Sequence, residues 1–321
     1  MTYQVLSPDN AHARALDVFA NIEGIQLTAG SFKRDQVLSM LAETDAIILR
    51  SATTVDAELL NAAPKLKVIA RAGVGVDNVD LDVATARGII VMNTPDGNTI
   101  ATAEHTFGLM LALARHIPQA YGSMQQGKWE RKSFMGVELR GKTLGIVGFG
   151  RIGRAVAKRA LAFEMTVVAY DPYIPADVAA DLGVELVDLD TLYSRADFIA
   201  LHSLVTDETR YMVNAESIAK MKAGVRIVNA ARGLLINDDD LAAAIKSGYV
   251  AGAAVDVYAE EPPPDNHPLV GLAGVIHTPH LAASTDDAQI SVSVEAAQLV
   301  VDALLKGEYK NVVNPAALTI G

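Results

Sequence analysis

Short apolar runs recur along the first third of the chain, separated by stretches in which apolar residues return with helical spacing. Tyr3–Leu6, Ile25–Leu27, Ala46–Leu49, Val68–Ala70 and Ile89–Met92 predict strands. Ala11–Ala20, Lys33–Ala42, Asp56–Ala62 and Leu81–Ala86 predict the helices between them. Such an alternation predicts a parallel sheet with helices on both faces and all strand C-termini on one edge. Thr94-Pro95-Asp96-Gly97 then breaks the rhythm, and Asn98 or Thr99 is placed to cap the helix that follows, Ile100 to His116. That helix is apolar on most sides, which predicts burial. Ile117 to Gly141 packs Lys128, Glu130, Arg131 and Lys132 around the only tryptophan, Trp129, and reads as an extension or loop available to another subunit.

A second alternating series starts at Thr143. Its strands are expected at Thr143–Val147, Thr166–Ala169, Phe198–His202, Arg226–Asn229, Ala251–Ala254 and Val275–His277. Helices fall at Arg151–Ala162, Asp190–Tyr193, Ala215–Lys220 and Asp238–Ser247. The last helical pattern, Ser284 to Leu305, needs a sheet to cover, and the second sheet already has enough helices. It is therefore expected to return to the first domain. The fold class is α/β, with two doubly wound parallel-sheet domains and a cleft between them. Residues 1–97 plus 286–321 form a discontinuous substrate-binding domain in this reading, and 98–285 a dinucleotide-binding domain.

Composition narrows the function classes. With 321 residues, 50% hydrophobic and 20% charged, two domains with large cores are the default. The net charge of −11 argues against a nucleic-acid surface, though local arginines can still make a pocket for a small anion. No cysteine is present, which excludes disulfides, thiolate metal sites and a Cys nucleophile. The start, MTYQVLSPDN, lacks the basic-then-apolar pattern of a signal peptide, and no apolar run approaches the length of a membrane span. A cytoplasmic protein without membrane or nucleic-acid partners is expected.

The strongest chemical signal is GKTLGIVGFGRIGRAVAKRALAFEMTVVAYD, residues 141–171. Here a strand, the glycines Gly148, Gly150 and Gly153, a helix, a second strand and Asp171 follow in order. Gly148 permits a tight turn, Gly150 lets a pyrophosphate approach the backbone, and Gly153 lets helix and strand pack closely. Arg151 and Ile152 open the helix, whose free N–H groups face the phosphates. Asp171 is placed to accept from both ribose hydroxyls, and its charge would repel a 2′-phosphate, so NAD is expected rather than NADP.

Other strand ends supply candidate chemistry. Arg50-Ser51 and Arg71-Ala72-Gly73-Val74-Gly75-Val76-Asp77 follow strands of the first domain, and their arginines and open backbone suit a carboxylate or phosphate. In the second domain Asn229-Ala230-Ala231-Arg232-Gly233 puts Arg232 where its planar fork can hold a substrate carboxylate. Gly233 is expected to supply an unusual backbone angle beside it. Hydride transfer to a ketone also needs a proton donor, and His280, after the strand Val275–His277, has the loop carboxylate Glu261 available. His12, His105, His116, His202, His267 and His277 are read as structural, although His202 also ends a strand on the cofactor side. No ligand set for a metal is evident.

Together these residues resemble the D-isomer-specific 2-hydroxyacid dehydrogenase family. The motifs are GFGRIG (148–153) with Asp171, NAARG (229–233), AVDVYAEEPPP (254–264) and TPHLAAST (278–285). The resemblance implies two Rossmann-like or flavodoxin-like domains, NAD, a small anionic 2-hydroxy or 2-oxo acid and a homodimer or homotetramer. It gives Arg232, Glu261 and His280 the roles of substrate arginine, carboxylate and acid/base. Asp256 is placed at the nicotinamide carboxamide, His202, Ala230 and Ala282 beside the cofactor, and Arg50, Ser51, Arg71, Val74, Gly75 and Arg131 at the substrate. The family often has glycine where Ala282 stands. Residues 71–98 and 127–153 resemble the branch that oxidises 3-phospho-D-glycerate in serine synthesis. Reduction of glyoxylate or hydroxypyruvate is the alternative within the family, and an NAD-sensing corepressor-like protein the alternative of another class. With the chain ending at Gly321, C-terminal regulatory domains and serine inhibition through them are not expected.

Overall fold

A computed structural model describes residues 2–320; Met1 and Gly321, the outer limits of the expected first domain, lie outside the described residues. The described residues form two compact units, one from residues 2–98 and 285–320 and one from 99–284.

The first unit holds β1 (Tyr3–Ser7), β2 (Ile25–Ala29), β3 (Ala46–Leu49), β4 (Val68–Arg71) and β5 (Ile90–Asn93), in the order β2-β1-β3-β4-β5. Every pairing is parallel. Alternate residues enter separate cores: Val68 and Ala70 face one, Ile69 between them the other. This two-sided burial explains why β3 reads Ala-Ile-Ile-Leu with no polar position. The helix Asp286–Lys306 supplies one core with Val292, Ala296, Leu299 and Val300. It starts where the Thr285 hydroxyl accepts from the Ala288 N–H and ends at Gly307, at φ +67°. It is long and apolar enough to cross a membrane, but most of that surface is buried in the protein. Beyond it the chain fastens to β5: Asn314 Oδ1 accepts from Val91 N at 2.8 Å, and its amide donates to Ile89 O at 2.9 Å.

The second unit holds β6 (Thr143–Val147), β7 (Thr166–Tyr170), β8 (Glu185–Leu186), β9 (Phe198–Leu201), β10 (Val225–Asn229), β11 (Val250–Val255) and β12 (Val275–His277). They form one parallel sheet in the order β12-β11-β10-β9-β6-β7-β8. Phe198 and Ala200 face one core while Ile199 and Leu201 face the other. The order reverses between β6 and β9, and a crevice opens beyond their carboxyl ends at such a reversal.

Three local expectations are corrected. Residues 117–141 are not simply a loop, because Ile117–Gln125 is helical and Arg131–Phe134 forms a 3-10 turn. His116 at φ +54° breaks the preceding helix, and Pro118, at a position that tolerates a missing N–H, allows the next to start. Neither Asn98 nor Thr99 caps the Thr99–Arg115 helix, since both side-chain oxygens are buried without a partner. The short β8 and the helix Ala176–Ala180 add to the expected elements.

Candidate active site

At the end of β6 the backbone turns through Gly148 at φ +92°, and a Cβ there would lie 2.6 Å from the His202 carbonyl carbon. A Cβ on Gly153 would lie 2.2 Å from the Gly148 oxygen, so helix and strand meet only because it is absent. Gly150 differs. A Cβ there would meet nothing within 4 Å, so nothing in this surrounding chain demands the missing side chain. Gly150 also begins the helix Arg151–Ala162 with no side-chain cap. An open space before an uncapped helix start, at the sheet's reversal, fits a pyrophosphate. Asp171, at the end of β7, accepts from Phe149 N at 2.8 Å and Tyr173 N at 2.9 Å, one bond to each oxygen. Each oxygen keeps acceptor capacity for a ribose hydroxyl.

His202 follows β9 beside this turn, its N–H donating to Val147 O at 2.7 Å. Both of its ring nitrogens are buried without a partner. Burial lowers its pKa from 6.5 to about 4, so the ring is neutral. Ile152 is half-buried at the helix start, whereas Arg151 is exposed.

Three neighbouring strand ends, those of β10, β11 and β12, lead to Arg232, Glu261 and His280. After β10, the Asn229 side chain donates to Arg232 O at 2.8 Å and accepts from Ala231 N at 3.1 Å, shaping the turn that carries buried Ala230 and Arg232. The Arg232 guanidinium donates to Ala231 O at 2.7 Å. Gly233 does not have a positive φ, which corrects the expected reason for it. A Cβ there would sit 2.0 Å from the Tyr258 carbonyl carbon, so Gly233 is required by close approach of the Glu261 loop.

After β11 and β12 come Glu261 and His280. His280 Nδ1 lies 2.7 Å from Glu261 Oε2, and Glu261 Oε1 accepts from Tyr258 N at 3.1 Å. Both carboxylate oxygens are thus engaged, and the histidine meets Glu261 through Nδ1. The bond to Glu261 raises the His280 pKa above the ordinary range, against burial and the nearby Arg232 charge. Burial opposes charge on Glu261, but His280 and the Tyr258 N–H outweigh it and hold this carboxyl below its ordinary range. His280 has φ +53°, an uncommon conformation for a non-glycine residue, held by N–H bonds to Asp256 O (2.8 Å) and Thr278 O (3.1 Å).

Asp256 has no solvent exposure, and its carboxylate accepts from the Thr278 hydroxyl, the Leu281 and Ala282 N–H groups and His105. Burial alone would favour its neutral form, but these donors keep it ionised. The N–H of Ala282 is therefore committed to Asp256. The sequence reads His105 only as a structural histidine and Thr278 only as part of the TPHLAAST motif, and neither reading foresees its bond to Asp256. The signal for Thr278 was its place two residues before His280, but nothing local marks His105, 151 positions from its partner.

In the first unit, Asp9 Oδ2 accepts from Arg50 N at 2.7 Å and Thr53 N at 3.2 Å, fixing the loop of Arg50 and exposed Ser51. The Arg50 guanidinium donates to Gln289. Gly73, at φ +145°, leaves the space into which the Arg71 guanidinium folds; a Cβ there would lie 1.5 Å from Nη1. Thr94 and Asn93 secure that loop through Gly73 N (2.7 Å) and Val74 O (2.6 Å), leaving Val74 and Gly75 half-buried. Arg131 is not brought to His280. With Arg115 and Lys132 it lines an open depression where the Thr99–Arg115 helix ends, at the amino edge of the seven-stranded sheet. Among the described residues, no three His, Asp or Glu side chains cluster as a metal site would need.

Residues 107–282 match the family described as D-isomer specific 2-hydroxyacid dehydrogenase, NAD binding domain. Over 281 residues the chain is 51% identical to a D-3-phosphoglycerate dehydrogenase of Archaeoglobus fulgidus, covering 88% of this chain and 53% of that protein. It spans a little over half the length of the D-3-phosphoglycerate dehydrogenases it matches first. A hydroxypyruvate reductase of Thermotoga maritima is 46% identical over 300 residues, 93% of this chain and 97% of that protein. Among solved structures, D-lactate dehydrogenase of Aquifex aeolicus, complexed with NAD and lactic acid, superposes with a TM-score of 0.85. It is 30% identical, covering 97% of this chain and 99% of that one.

Proposed function

Because the chain belongs to the D-isomer specific 2-hydroxyacid dehydrogenase family, we propose that it is an NAD-dependent oxidoreductase interconverting 3-phospho-D-glycerate and 3-phosphohydroxypyruvate, a step of serine synthesis. The carrying observation is the His280–Glu261 pair, 2.7 Å apart, on the same sheet edge as Arg232 and the Gly148–Gly153 turn. In this reading residues 99–284 bind NAD and the first unit binds substrate, in a cytoplasmic homo-oligomer.

Bound NAD supplies the acceptor for the hydride that leaves C2 of the hydroxy acid. Neutral His280 takes the hydroxyl proton at Nε2. Glu261, already bonded to Nδ1, stabilises the imidazolium that results. Arg232 holds the substrate carboxylate with the amides at Val74 and Gly75. Arg50 and Arg71 take the distal phosphate. Arg131, on the other edge of its own unit, serves it only from a second copy of the chain. Replacing Arg131 with Ala should then raise KM for the phosphorylated acid far more than for hydroxypyruvate, and equal effects on both would remove Arg131 from the site.

The deciding experiment follows NADH oxidation with phosphohydroxypyruvate beside hydroxypyruvate and glyoxylate. A kcat/KM about tenfold or more above the others for the phosphorylated acid is expected, as a bound phosphate contributes more than a kcal/mol. The similarity to the nearly equal-length hydroxypyruvate reductase favours a second reading, in which hydroxypyruvate wins. No turnover with any acid would point instead to an NAD-sensing interaction protein.

A further inference from the structure

Asp256 ends β11, and its carboxylate is ringed by the Thr278 hydroxyl at 2.6 Å, Leu281 N at 2.8 Å, Ala282 N at 2.9 Å and His105 Nε2 at 3.2 Å. Three of these donors belong to the turn that carries His280. The fourth comes from a different element, the Thr99–Arg115 helix. His105 Nε2 also lies 3.3 Å from the Thr278 oxygen, whose proton is already given to Asp256. Nε2 therefore carries the proton and shares it between two acceptors. The backbone of the same aspartate accepts from His280 N at 2.8 Å.

We propose that His105 is a positioning residue for proton transfer at His280, tying the 278–282 turn to the helix through Asp256 and Thr278. It touches no reactant. It completes the donors around a carboxylate that cannot stay charged in a buried place without them. That charge, with Glu261 from the neighbouring loop, favours protonated His280, while Arg232 from the end of β10 opposes it. Without the His105 donor the charge is less well held and the turn loses its bond to the helix, so His280 binds its proton more weakly. The inference rests on the proposed dehydrogenase reading for its meaning but not for its measurement.

The test titrates the imidazole of His280 by NMR in the full chain with NAD bound, using selectively labelled histidine. His105→Leu removes the donor at similar volume, and His105→Gln keeps a donor near the Nε2 position. In His105→Leu the His280 midpoint should fall by about 0.5 pH unit or more. His105→Gln should titrate like the native protein. With the 2-oxo acid used best, kcat of His105→Leu should fall about tenfold while KM stays within about twofold. An unchanged midpoint in folded His105→Leu would overturn the proposal, as would an equal fall in both variants. If His105→Leu does not fold, His105→Met removes the donor with a more adaptable side chain and is judged by the same midpoint. The titration needs no substrate, so inactivity toward every acid would sink the functional reading and leave this result standing.

Discussion

Nδ1 of His280 is bound to Glu261, and the proposed reaction uses the other ring nitrogen, Nε2. Glu261 raises the histidine pKa, so the imidazolium persists to higher pH than it would alone. Oxidation needs the neutral ring as base and should rise with pH through that raised value. Reduction needs the imidazolium and should fall through it. Glu261→Gln removes the charge but keeps the shape, so both limbs should shift to lower pH. The shift should be about half to one unit, because the half-exposed ring is partly screened, and kcat should fall about tenfold. Rate profiles in both directions measure this, and an unmoved midpoint would mean that Glu261 does not act through the ring. The His280–Glu261 pairing was legible in the sequence, because a proton donor at a strand end needs a carboxylate and only one loop offered it. The occupation of Asp256 was not legible. Placed in the sequence at the nicotinamide carboxamide, it is fully buried and holds the turn through Leu281, Ala282, Thr278 and a histidine from another element. Sequence spacing carries no information on such distant meetings.

Elements meet here through missing side chains, and the glycines separate what the fold needs from what a ligand needs. Gly153→Ala drives a Cβ toward the Gly148 oxygen, 2.2 Å away, and should cost about 3 kcal/mol, or roughly 10 °C in Tm. Gly150→Ala meets no protein atom, so Tm without cofactor should drop by no more than about 3 °C, the cost of a poorer helix cap. NAD binding should nevertheless weaken about tenfold or more, because the methyl enters the space assigned to the pyrophosphate. Calorimetry on both variants reads the contrast, and full NAD affinity in Gly150→Ala would place the phosphates elsewhere. Gly233→Ala belongs with the first kind but has a catalytic result. Its Cβ would strike the Tyr258 backbone, whose N–H holds Glu261, so kcat should fall about a hundredfold and NAD affinity much less. Comparable losses in both would show that the clash spreads beyond the Glu261 loop. Strands buried on both faces were readable because each is a continuous apolar run between turn residues. The helix Ile117–Gln125 was not: Ile117, Tyr121 and Met124 do recur at helical spacing, but Pro118, Gly122 and the charged run that follows were read as a loop, and the three apolar side chains are exposed rather than part of a core.

At the scale of the molecule, the return of the last helix was inferred from a shortage of cover over the first sheet, and Asp286–Lys306 does supply that sheet's core. The first unit is therefore stitched from two distant segments, with Asn314 bonding to Val91 and Ile89 more than two hundred residues away. The second unit is contiguous over residues 99–284, and its sheet has a separate core on each face. A contiguous segment that buries both faces of its own sheet has the ingredients of an independent folding unit. Expressed alone, residues 99–284 should fold cooperatively and bind NAD, gaining about 2.7 kcal/mol of stability at a cofactor concentration a hundred times Kd. They should show no turnover with any 2-oxo acid, because Arg50, Arg71 and the Val74–Gly75 backbone would be missing. Joining residues 2–98 to 285–320 through a flexible linker should restore the first unit, whereas residues 2–98 alone should not fold, since β3, β4 and β5 would lose the helix that covers one face. Thermal unfolding of the three fragments with and without NAD tests both halves. A 99–284 fragment that folds yet ignores NAD would move the cofactor away from the Gly148–Gly153 turn, and a cooperative fold in 2–98 alone would mean the returning helix is ornament to that sheet rather than part of it.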